Sequence, residues 1–271
     1  MIGASREALA AATDNLDALT ASTSVDAVKL ADELYAVTGL LDREVALRRV
    51  LTDPARSGQD KAALVASLLG GQVGGPTVDL VSGMVRSRWS ASRDLADAAE
   101  ELGALAELIA AERASHLDDV EDELFRFDRV VQGSPELRAA LTDPAAGTAA
   151  KTELLRSLLG GRATETTVRL VTRLVTEPRG RSLEAGLEHL ARLAASRRGR
   201  LVAVVTAAVP LSDRQKDRMS AALQRLYGRP VHLNIDIDPE VVGGVRVEIG
   251  DEVIDGTVAG RLDTARRGLA G

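Results

Sequence analysis

The chain of 271 residues contains no cysteine, and this absence excludes several kinds of chemistry at once. Disulfide bonds, thiol nucleophiles and zinc sites with cysteine ligands are all ruled out. Aromatic residues make up only 2% of the chain, so its cores must be built mainly from Leu, Val and Ala. Ala and Leu favour helices, and small side chains let helices pack closely. The composition therefore predicts a mainly helical protein.

Strong charge of one sign and long apolar runs are also missing. The net charge is −6, and no region has the basic excess that binding to a phosphate backbone requires, so nucleic acid is not an expected partner. The longest apolar run, Leu201–Val209, is far shorter than the roughly 20 residues of a membrane span. The N-terminal stretch contains acidic residues and lacks the apolar core of a signal peptide. We therefore expect a soluble, cytoplasmic chain without direct membrane insertion.

Residues that carry catalysis or hold metals form no recognised pattern. His116, His189 and His232 lie in three separate segments, without paired metal-ligand spacing. The phosphate-binding, dinucleotide-binding, EF-hand and Gly-x-Ser-x-Gly motifs are all absent. We therefore predict no catalytic, cofactor-binding or metal site, no cofactor, and a protein that is not an enzyme. The rival interpretation, an enzyme with an unfamiliar site, would need a pocket of converging titratable groups.

An internal duplication organises the first two thirds of the chain. When residues 31–81 are placed over residues 121–171, 21 of the 51 positions are identical without a gap. The shared stretches include DELY with DELF, LRRVLTDPA with LRAALTDPA, and KAALVASLLGG with KTELLRSLLGG. We call residues 1–91 copy 1 and residues 92–198 copy 2. Each copy is predicted to be a helical bundle.

Proline and glycine mark the helix ends at the same places in both copies. The LTDP stretches end one helix, because proline opposes its continuation, and the Gly-Gly pairs at 70–71 and 160–161 cap the next. Residues 93–131 have helical periodicity, with interruptions expected at Gly103 and around Ala114–Ser115. We therefore predict one long or slightly kinked helical passage that joins the two bundles.

From about residue 199 the pattern changes to strands. Leu201–Val209 is predicted as a strand buried on both faces, and Ser212 begins a helix through a capping box. Val231–Asp238 alternates as a second strand, and Gly250-Asp251 is placed where a hairpin turn is expected. The predicted fold is mainly α with a C-terminal α/β module: two tandem helical bundles (1–91 and 92–198) and a small strand–helix–strand–hairpin region (199–271), with a last helix near residues 257–269.

Two features of the sequence each allow two interpretations: the acidic C-terminal stretch and Trp89. The acidic residues between Asp236 and Asp255 could form a metal loop, but their spacing fits no EF-hand, which favours structural turns. Trp89 follows basic residues; its ring either packs on the first bundle or serves as an anchor for a partner. These alternatives remain open at the level of the sequence.

The run VHLNIDIDPEVVGGVRVEIGDEVIDGTVAGRL, Val231–Leu262, closely resembles the signature segment of the delta (OSCP) subunits of F-type ATP synthases. Upstream stretches such as SPELRAALTDP and the passage from Arg169 to Lys216 are similar to the same family, so the resemblance covers about residues 93–270. The matching signature positions are Asp238, Val242, Gly243, Gly244, Val245, Val247, Gly250, Asp255 and Gly256.

The resemblance implies a non-catalytic subunit of the peripheral stalk, the stator that resists rotational torque during proton-driven ATP synthesis. It implies that a helical bundle binds the N-terminal segment of an alpha subunit and that the C-terminal region binds b-type stalk subunits. It also implies a peripheral location at the cytoplasmic face of the cell membrane. The extra bundle departs from the usual family chain and is similar to the elongated form of high-GC Gram-positive bacteria. We expect copy 2, which precedes the C-terminal module, to bind alpha.

The last predicted helix offers a candidate surface for the b subunits. Its apolar positions are spaced by four, three and four residues, which gives one stripe flanked by arginines: Val258, Leu262, Ala265 and Leu269. The alternative is that this stripe packs on the protein's own sheet. A rival for the whole chain, a helical-repeat adaptor for other partners, would explain the duplication but not the C-terminal signature.

Overall fold

The duplication seen in the sequence recurs helix by helix in the structure. The computed structural model describes Met1 and residues 3–199, 201–228, 231–239, 241, 243–249 and 252–255. Four helices of copy 1 have counterparts in copy 2 with the same bounds, shifted by 90 positions. The pairs are α2 Ala27–Arg43 with α7 Leu117–Gly133, α3 Val45–Thr52 with α8 Pro135–Thr142, α4 Gly58–Leu69 with α9 Thr148–Leu159, and α5 Gly75–Arg86 with α10 Glu165–Thr176.

Three further helices show that the copies share an element: α1 (Ala4–Ala21), α6 (Ser92–Arg113) and α11 (Leu183–Arg198). The same shift places both the counterpart of α1 and the counterpart of α11 inside α6. At the α1 side of α6, Ser5 Oγ donates to Asp94 Oδ2 at 2.6 Å. At the α11 side, His189 Nε2 lies 3.5 Å from Glu101 Oε2. Helix α6 therefore serves copy 1 as its last helix and copy 2 as its first.

Residues of helices α1 to α11 meet in one hydrophobic core. Accordingly, Met1–Ala195 forms one compact unit, and Ser196–Gly271 forms a second. Helix α6 can join the copies because Ala and Leu occur on nearly every side of it, so it buries residues toward both neighbours. The division of the helical part at residue 91 into two independent bundles stays a prediction.

The helix ends follow local chemistry, as predicted from proline and glycine. Helices α3 and α8 end at the threonine before Asp-Pro, and Asp53 and Asp143 each accept a hydrogen bond from the backbone two residues later. Gly71 and Gly161 have φ values of 77° and 69°, the left-handed conformation that glycine adopts without strain.

One predicted interruption of the joining helix was right and the other was wrong. The helical passage breaks between α6 and α7, where Ser115 has a φ of 60°. Gly103 lies inside α6 without interrupting it. The ring of Tyr35 packs against Gly103 so closely that an added Cβ would lie 2.9 Å from Tyr35 Cε1. The glycine therefore serves a close approach between helices and does not end one.

The second unit contains one helix and a four-stranded sheet among its described residues. Its elements are β1 Leu201–Ala207, α12 Asp213–Tyr227, β2 Val231–Ile237, β3 Val245–Ile249 and β4 Glu252–Asp255. The strand order is β2-β1-β3-β4, with β1 parallel to β2 through the α12 crossover and antiparallel to β3. Strands β3 and β4 pair antiparallel, with Ile249 opposite Glu252, and the hairpin turn predicted at Gly250-Asp251 lies outside the described residues. The predicted fold class is confirmed.

The prediction that β1 is buried on both faces was wrong. Ala203, Val205 and Ala207 are buried in the small core, whereas Val204 on the other face is 37% exposed. Helix α12 contributes Leu223 to this core. A central strand can pack one face in a core and leave the other partly exposed, so an unbroken apolar sequence does not by itself show two buried faces.

Candidate functional site

The contact between copy 1 and copy 2 is the most elaborate polar arrangement among the described residues. At one end of it, Arg169 of α10 joins two carboxylates: its Nε donates to Glu107 Oε1 at 2.7 Å and its Nη2 to Asp32 Oδ1 at 2.6 Å. Glu107 is almost fully buried, and this burial raises its pKa although Arg169 opposes the effect. Arg169 thus ties α2 of copy 1 to α6 and α10.

One helical turn further along, Tyr35 and Arg173 continue this contact. The guanidinium carbon of Arg173 lies 4.3 Å from the centre of the Tyr35 ring, within the range of a cation–π interaction. Tyr35 is only 7% exposed, and burial raises the pKa of its phenol far above the ordinary value, so the phenol is neutral. Arg169 and Arg173, four residues apart on α10, therefore meet Asp32 and Tyr35, three residues apart on α2.

At the opposite end of the interface, Arg179 binds three carboxylates. Its Nε lies 2.5 Å from Asp42 Oδ2, its Nη1 2.5 Å from Glu100 Oε2 and its Nη2 2.9 Å from Asp97 Oδ1. Arg181 makes a second ion pair with Glu100. Although burial alone would raise the pKa of Asp42, the hydrogen bond and charge of Arg179 lower it. The two copies are thus held together by ion pairs at both ends of α2.

A cavity of about 510 Å³ opens beside these ion pairs. Glu101 and His189, which form a further pair of titratable groups, line it. Burial raises the pKa of Glu101; burial, followed by the charges of Arg181 and Arg192, lowers that of His189. The acidic and basic groups of this cavity mostly pair with each other, and no serine, threonine or lysine lines it. Its groups are therefore those of an interface between copies. In the part of the chain that the structure describes, no cluster of three His, Cys, Asp or Glu side chains could hold a metal ion.

The signature residues that the structure describes lie in the segment between β2 and β3 and in the strands β3 and β4. Asp238 follows β2, and its backbone N–H donates to the carbonyl of Ala207 at 3.0 Å. Gly243 and Gly244 have φ values of 61° and 87°, which suit glycine. Val245 and Val247 then begin β3, with Val247 buried, and Asp255 pairs with β3 through its backbone. The remaining predicted signature positions, Val242, Gly250 and Gly256, lie outside the described residues.

Of the candidate partner contacts predicted from the sequence, the structure describes Trp89 but not the apolar stripe of the last helix. Trp89 is 8% exposed, and its indole N–H donates to the carbonyl of Met84 at 2.8 Å, which agrees with packing on the first bundle. An edge of Trp89 still reaches a surface cleft of about 690 Å³ beside α1, where Ala4, Glu7 and Ala11 are exposed. The apolar stripe of the last helix lies outside the described residues: Val258, Leu262, Ala265 and Leu269.

Sequence reasoning missed the role of the glutamate in DELY and DELF. Glu33 accepts hydrogen bonds from Gly74 N and Thr77 Oγ1 at the start of α5. Glu123 accepts from the backbone and hydroxyl of Thr164 at the start of α10. A carboxylate at a helix N-terminus satisfies free N–H groups and interacts favourably with the helix dipole. The identity of this residue in both copies was the available signal.

The fold and the surfaces together define the class of protein. It is a duplicated helical protein with a C-terminal α/β unit, and its most elaborate ion pairs connect helices. Among the described residues, no helix is both long and apolar enough to cross a membrane.

Comparison with known proteins identifies the family. The family model for the ATP synthase delta (OSCP) subunit matches residues 103–269. The chain is 70% identical over 268 residues to the ATP synthase subunit delta of Streptomyces avermitilis, covering 99% of this chain and 98% of that one. It is 50% identical over 271 residues to that of Thermobifida fusca, covering both chains completely. The chain therefore belongs to the ATP synthase delta (OSCP) subunit family, and the resemblance seen in the sequence is confirmed.

The comparisons also show which relatives share copy 1. The family model begins within α6, so it leaves out copy 1, whereas both actinobacterial relatives align over copy 1 as well. A chain from the Toxoplasma gondii mitochondrial ATP synthase hexamer is 27% identical, covers 62% of this chain and 95% of that chain, and superimposes with a TM-score of 0.28. The elongated form is thus shared with the actinobacterial relatives.

Proposed function

We propose that this chain is a non-catalytic brace in the peripheral stalk of an F-type ATP synthase, attached at the cytoplasmic face of the membrane. The observation that carries the proposal is the family membership, with relatives named ATP synthase subunit delta aligned over nearly the whole chain. A brace against torque needs broad helix contacts and no reactive group. The rival adaptor interpretation leaves the C-terminal signature without an explanation.

The alpha subunit's N-terminal segment is the proposed partner of the helical unit. The sequence favoured copy 2 for this role, but the contacts of α2 give a reason to change that choice. Helix α2 already lies along α6 and reaches α10 through Asp32 and Tyr35, so it covers part of the surface that these two helices form. On copy 1, the cleft next to Trp89 lies between the first half of α1 and residues 87–90, which follow α5. Because an amphipathic helix binds in such a groove, we place the alpha segment there.

A direct test uses the full chain and a synthetic peptide of the alpha N-terminus from the same bacterium. We expect Ala11→Glu, which puts a charge into the α1 cleft, to weaken peptide binding about tenfold, equivalent to about 1.4 kcal/mol. Ala140→Glu makes the same change at an exposed position of α8 and should leave binding unchanged. Equal affinities for all three chains would refute this site, and no binding by the unaltered chain would remove alpha as the partner.

The b-type stalk subunits are the proposed partners of the C-terminal region. The last helix offers an apolar stripe flanked by Arg261, Arg266 and Arg267 in the sequence. Truncation after Asp255 should weaken pulldown of the b subunits while the melting curve of the helical unit stays the same. Unchanged pulldown would instead favour packing of the stripe on the chain's own sheet.

A further inference from the structure

The outward face of α12 carries three arginines without a counter-ion. Arg214, Arg218 and Arg225 project from one side of the helix, because they are spaced by four and seven residues, and the small Ala221 lies between them. All four residues are exposed, and we call them the α12 basic face. Among the described residues, the side chains of Arg214 and Arg218 form no ion pair and no hydrogen bond. Arg225 Nε donates only to the carbonyl of Ala221, in its own helix, at 3.1 Å.

Several exposed arginines of the helical unit differ from these in having a carboxylate three or four residues away on the same helix. The pairs are Arg126 with Asp122, Arg156 with Glu153, and Arg192 with Glu188. On α12, no acidic residue occupies the positions three and four residues from Arg218. Asp217 lies three residues from Arg214, but the two side chains form no ion pair. The charge of the α12 basic face is therefore not neutralised within its helix.

Local effects do not explain this arrangement. Arg214 and Arg218 carry like charges one turn apart, which destabilises a helix. Arg214 also lies in the first turn of α12, where the helix dipole favours negative charge. Of the three arginines, only Arg225, in the last turn, is favourably placed with respect to the dipole. The arginines therefore weaken α12 unless acidic groups from outside neutralise them.

The opposite side of α12 is held by its own sheet. Leu223 is buried in the small core, Met219 packs against this core, and Ser220 Oγ donates to the carbonyl of Val231 at 3.2 Å. The apolar side of α12 is therefore in use and is not free to enter a membrane interface, as the apolar face of a membrane-surface helix would be. Leu226, which is 66% exposed, adds one apolar contact beside the arginines.

We propose that the α12 basic face binds a helix of another protein that presents carboxylates at i, i+4 and i+11. The spacing of the three arginines and their lack of counter-ions among the described residues give the charge complementarity for this occupant. Ala221 leaves room for the backbone of the incoming helix between the arginines. The proposal extends beyond the alpha and b contacts suggested above and does not depend on them.

The test uses the full chain and a labelled, hydrocarbon-stapled helical peptide with glutamates at i, i+4 and i+11. Two further peptides carry glutamine or lysine at the same three positions. In fluorescence anisotropy at low salt, the unaltered chain should bind the glutamate peptide at least about tenfold more tightly than the glutamine peptide. Arg218→Glu should weaken binding of the glutamate peptide about tenfold. The same variant should bind the lysine peptide more tightly than the unaltered chain does, because the charges are then exchanged.

Arg126→Glu is the matched control, because it makes the same change in net charge at an exposed position of α7, outside this surface. It should leave binding of the glutamate peptide unchanged, and the melting temperature of each variant shows that the chain remains folded. Three results would overturn the proposal: no binding of the glutamate peptide, equal binding of the glutamate and glutamine peptides, or an equal loss with Arg126→Glu.

Two other occupants are tested with the same variant. Binding of the unaltered chain to phosphatidylglycerol vesicles that disappears with Arg218→Glu would overturn the proposal in favour of an anionic lipid surface. Self-association in sedimentation that disappears with Arg218→Glu would overturn it in favour of a second copy of this chain. Neither behaviour is expected of the unaltered chain.

Discussion

Copy 1 and copy 2 have the same helices but use equivalent positions in opposite ways. Tyr35 of copy 1 is buried against α6, while Phe125 of copy 2 is exposed. Trp89 of copy 1 closes its own bundle by bonding to Met84, while Arg179, at the same repeat position, reaches Asp42 in the other copy. A duplicated backbone can therefore keep its helix bounds while a few side chains decide whether a surface closes on itself or binds a neighbour.

The largest effect should come from removing the connection between the copies. Arg179→Ala leaves three carboxylates close together without their shared counter-ion, and we expect a loss of about 3 kcal/mol in the free energy of unfolding. Urea unfolding of the full chain measures it. Arg126→Ala removes an exposed ion pair of α7 and should cost at most about 0.5 kcal/mol. Similar losses for the two variants would mean that the Arg179 cluster does not stabilise the contact between copies.

The next effect concerns the glycine that lets Tyr35 approach α6. Gly103→Ala adds a methyl 2.9 Å from a rigid ring, and the strain should exceed the helix preference of alanine, for a net loss of about 1 kcal/mol. In Gly39→Ala the added methyl meets only the flexible tip of Arg43, so this variant should gain up to about 1 kcal/mol. Thermal unfolding measures both. Stabilisation by both substitutions would show that Tyr35 can move without loss.

A smaller and symmetrical effect is expected at the repeated glutamates. Glu33→Gln and Glu123→Gln each remove a negative charge from a helix N-terminus, and each should cost about 0.5 kcal/mol. Because the sites lie in different copies, the losses should add in the double variant. Chemical denaturation of the three variants tests this. A marked difference between the single variants would show that this part of the repeat has also diverged.

The smallest effect is a pH dependence at the α6–α11 contact. Burial and the nearby Arg181 and Arg192 lower the pKa of His189 below its value in the unfolded chain. The unfolded chain therefore takes up the proton first as the pH falls through about 6.5, and stability decreases. His189→Gln should reduce the fall in melting temperature between about pH 7.5 and about pH 6, a range above the titration of most carboxylates. An unchanged slope would mean that His189 does not titrate differently on folding.

Features set by neighbouring residues could be predicted from the sequence, and features set by distant contacts could not. The Asp-Pro and Gly-Gly pairs fixed the ends of α3, α4, α8 and α9, because their effects on the backbone are local. Gly103 was misinterpreted as an interruption because its role depends on Tyr35 in another helix. Arg179 gave no signal, since the Asp42 carboxylate that it binds is 137 residues away.

The C-terminal unit shows the same limit for strands. The β1–β2 and β3–β4 pairings could be expected from the β1–α12–β2 crossover and the hairpin, but the pairing of β3 with β1 could not. The exposure of Val204 could not, because it depends on which face of the sheet is covered. Alternating or continuous apolar residues predict a strand, but they do not show whether one or both of its faces are covered.

Because α6 completes one bundle and begins the next, such a chain can grow or shrink only in steps of five helices. A chain that began at residue 92 would keep α6 but would lack α1 and α2. Gly103, against which the Tyr35 ring packs, and the buried Glu107 would then face water. Glu107 would be well solvated there, whereas Gly103 would keep only its low helix propensity, so a better helix former at that position would mark a one-bundle relative that never had, or has lost, the additional bundle.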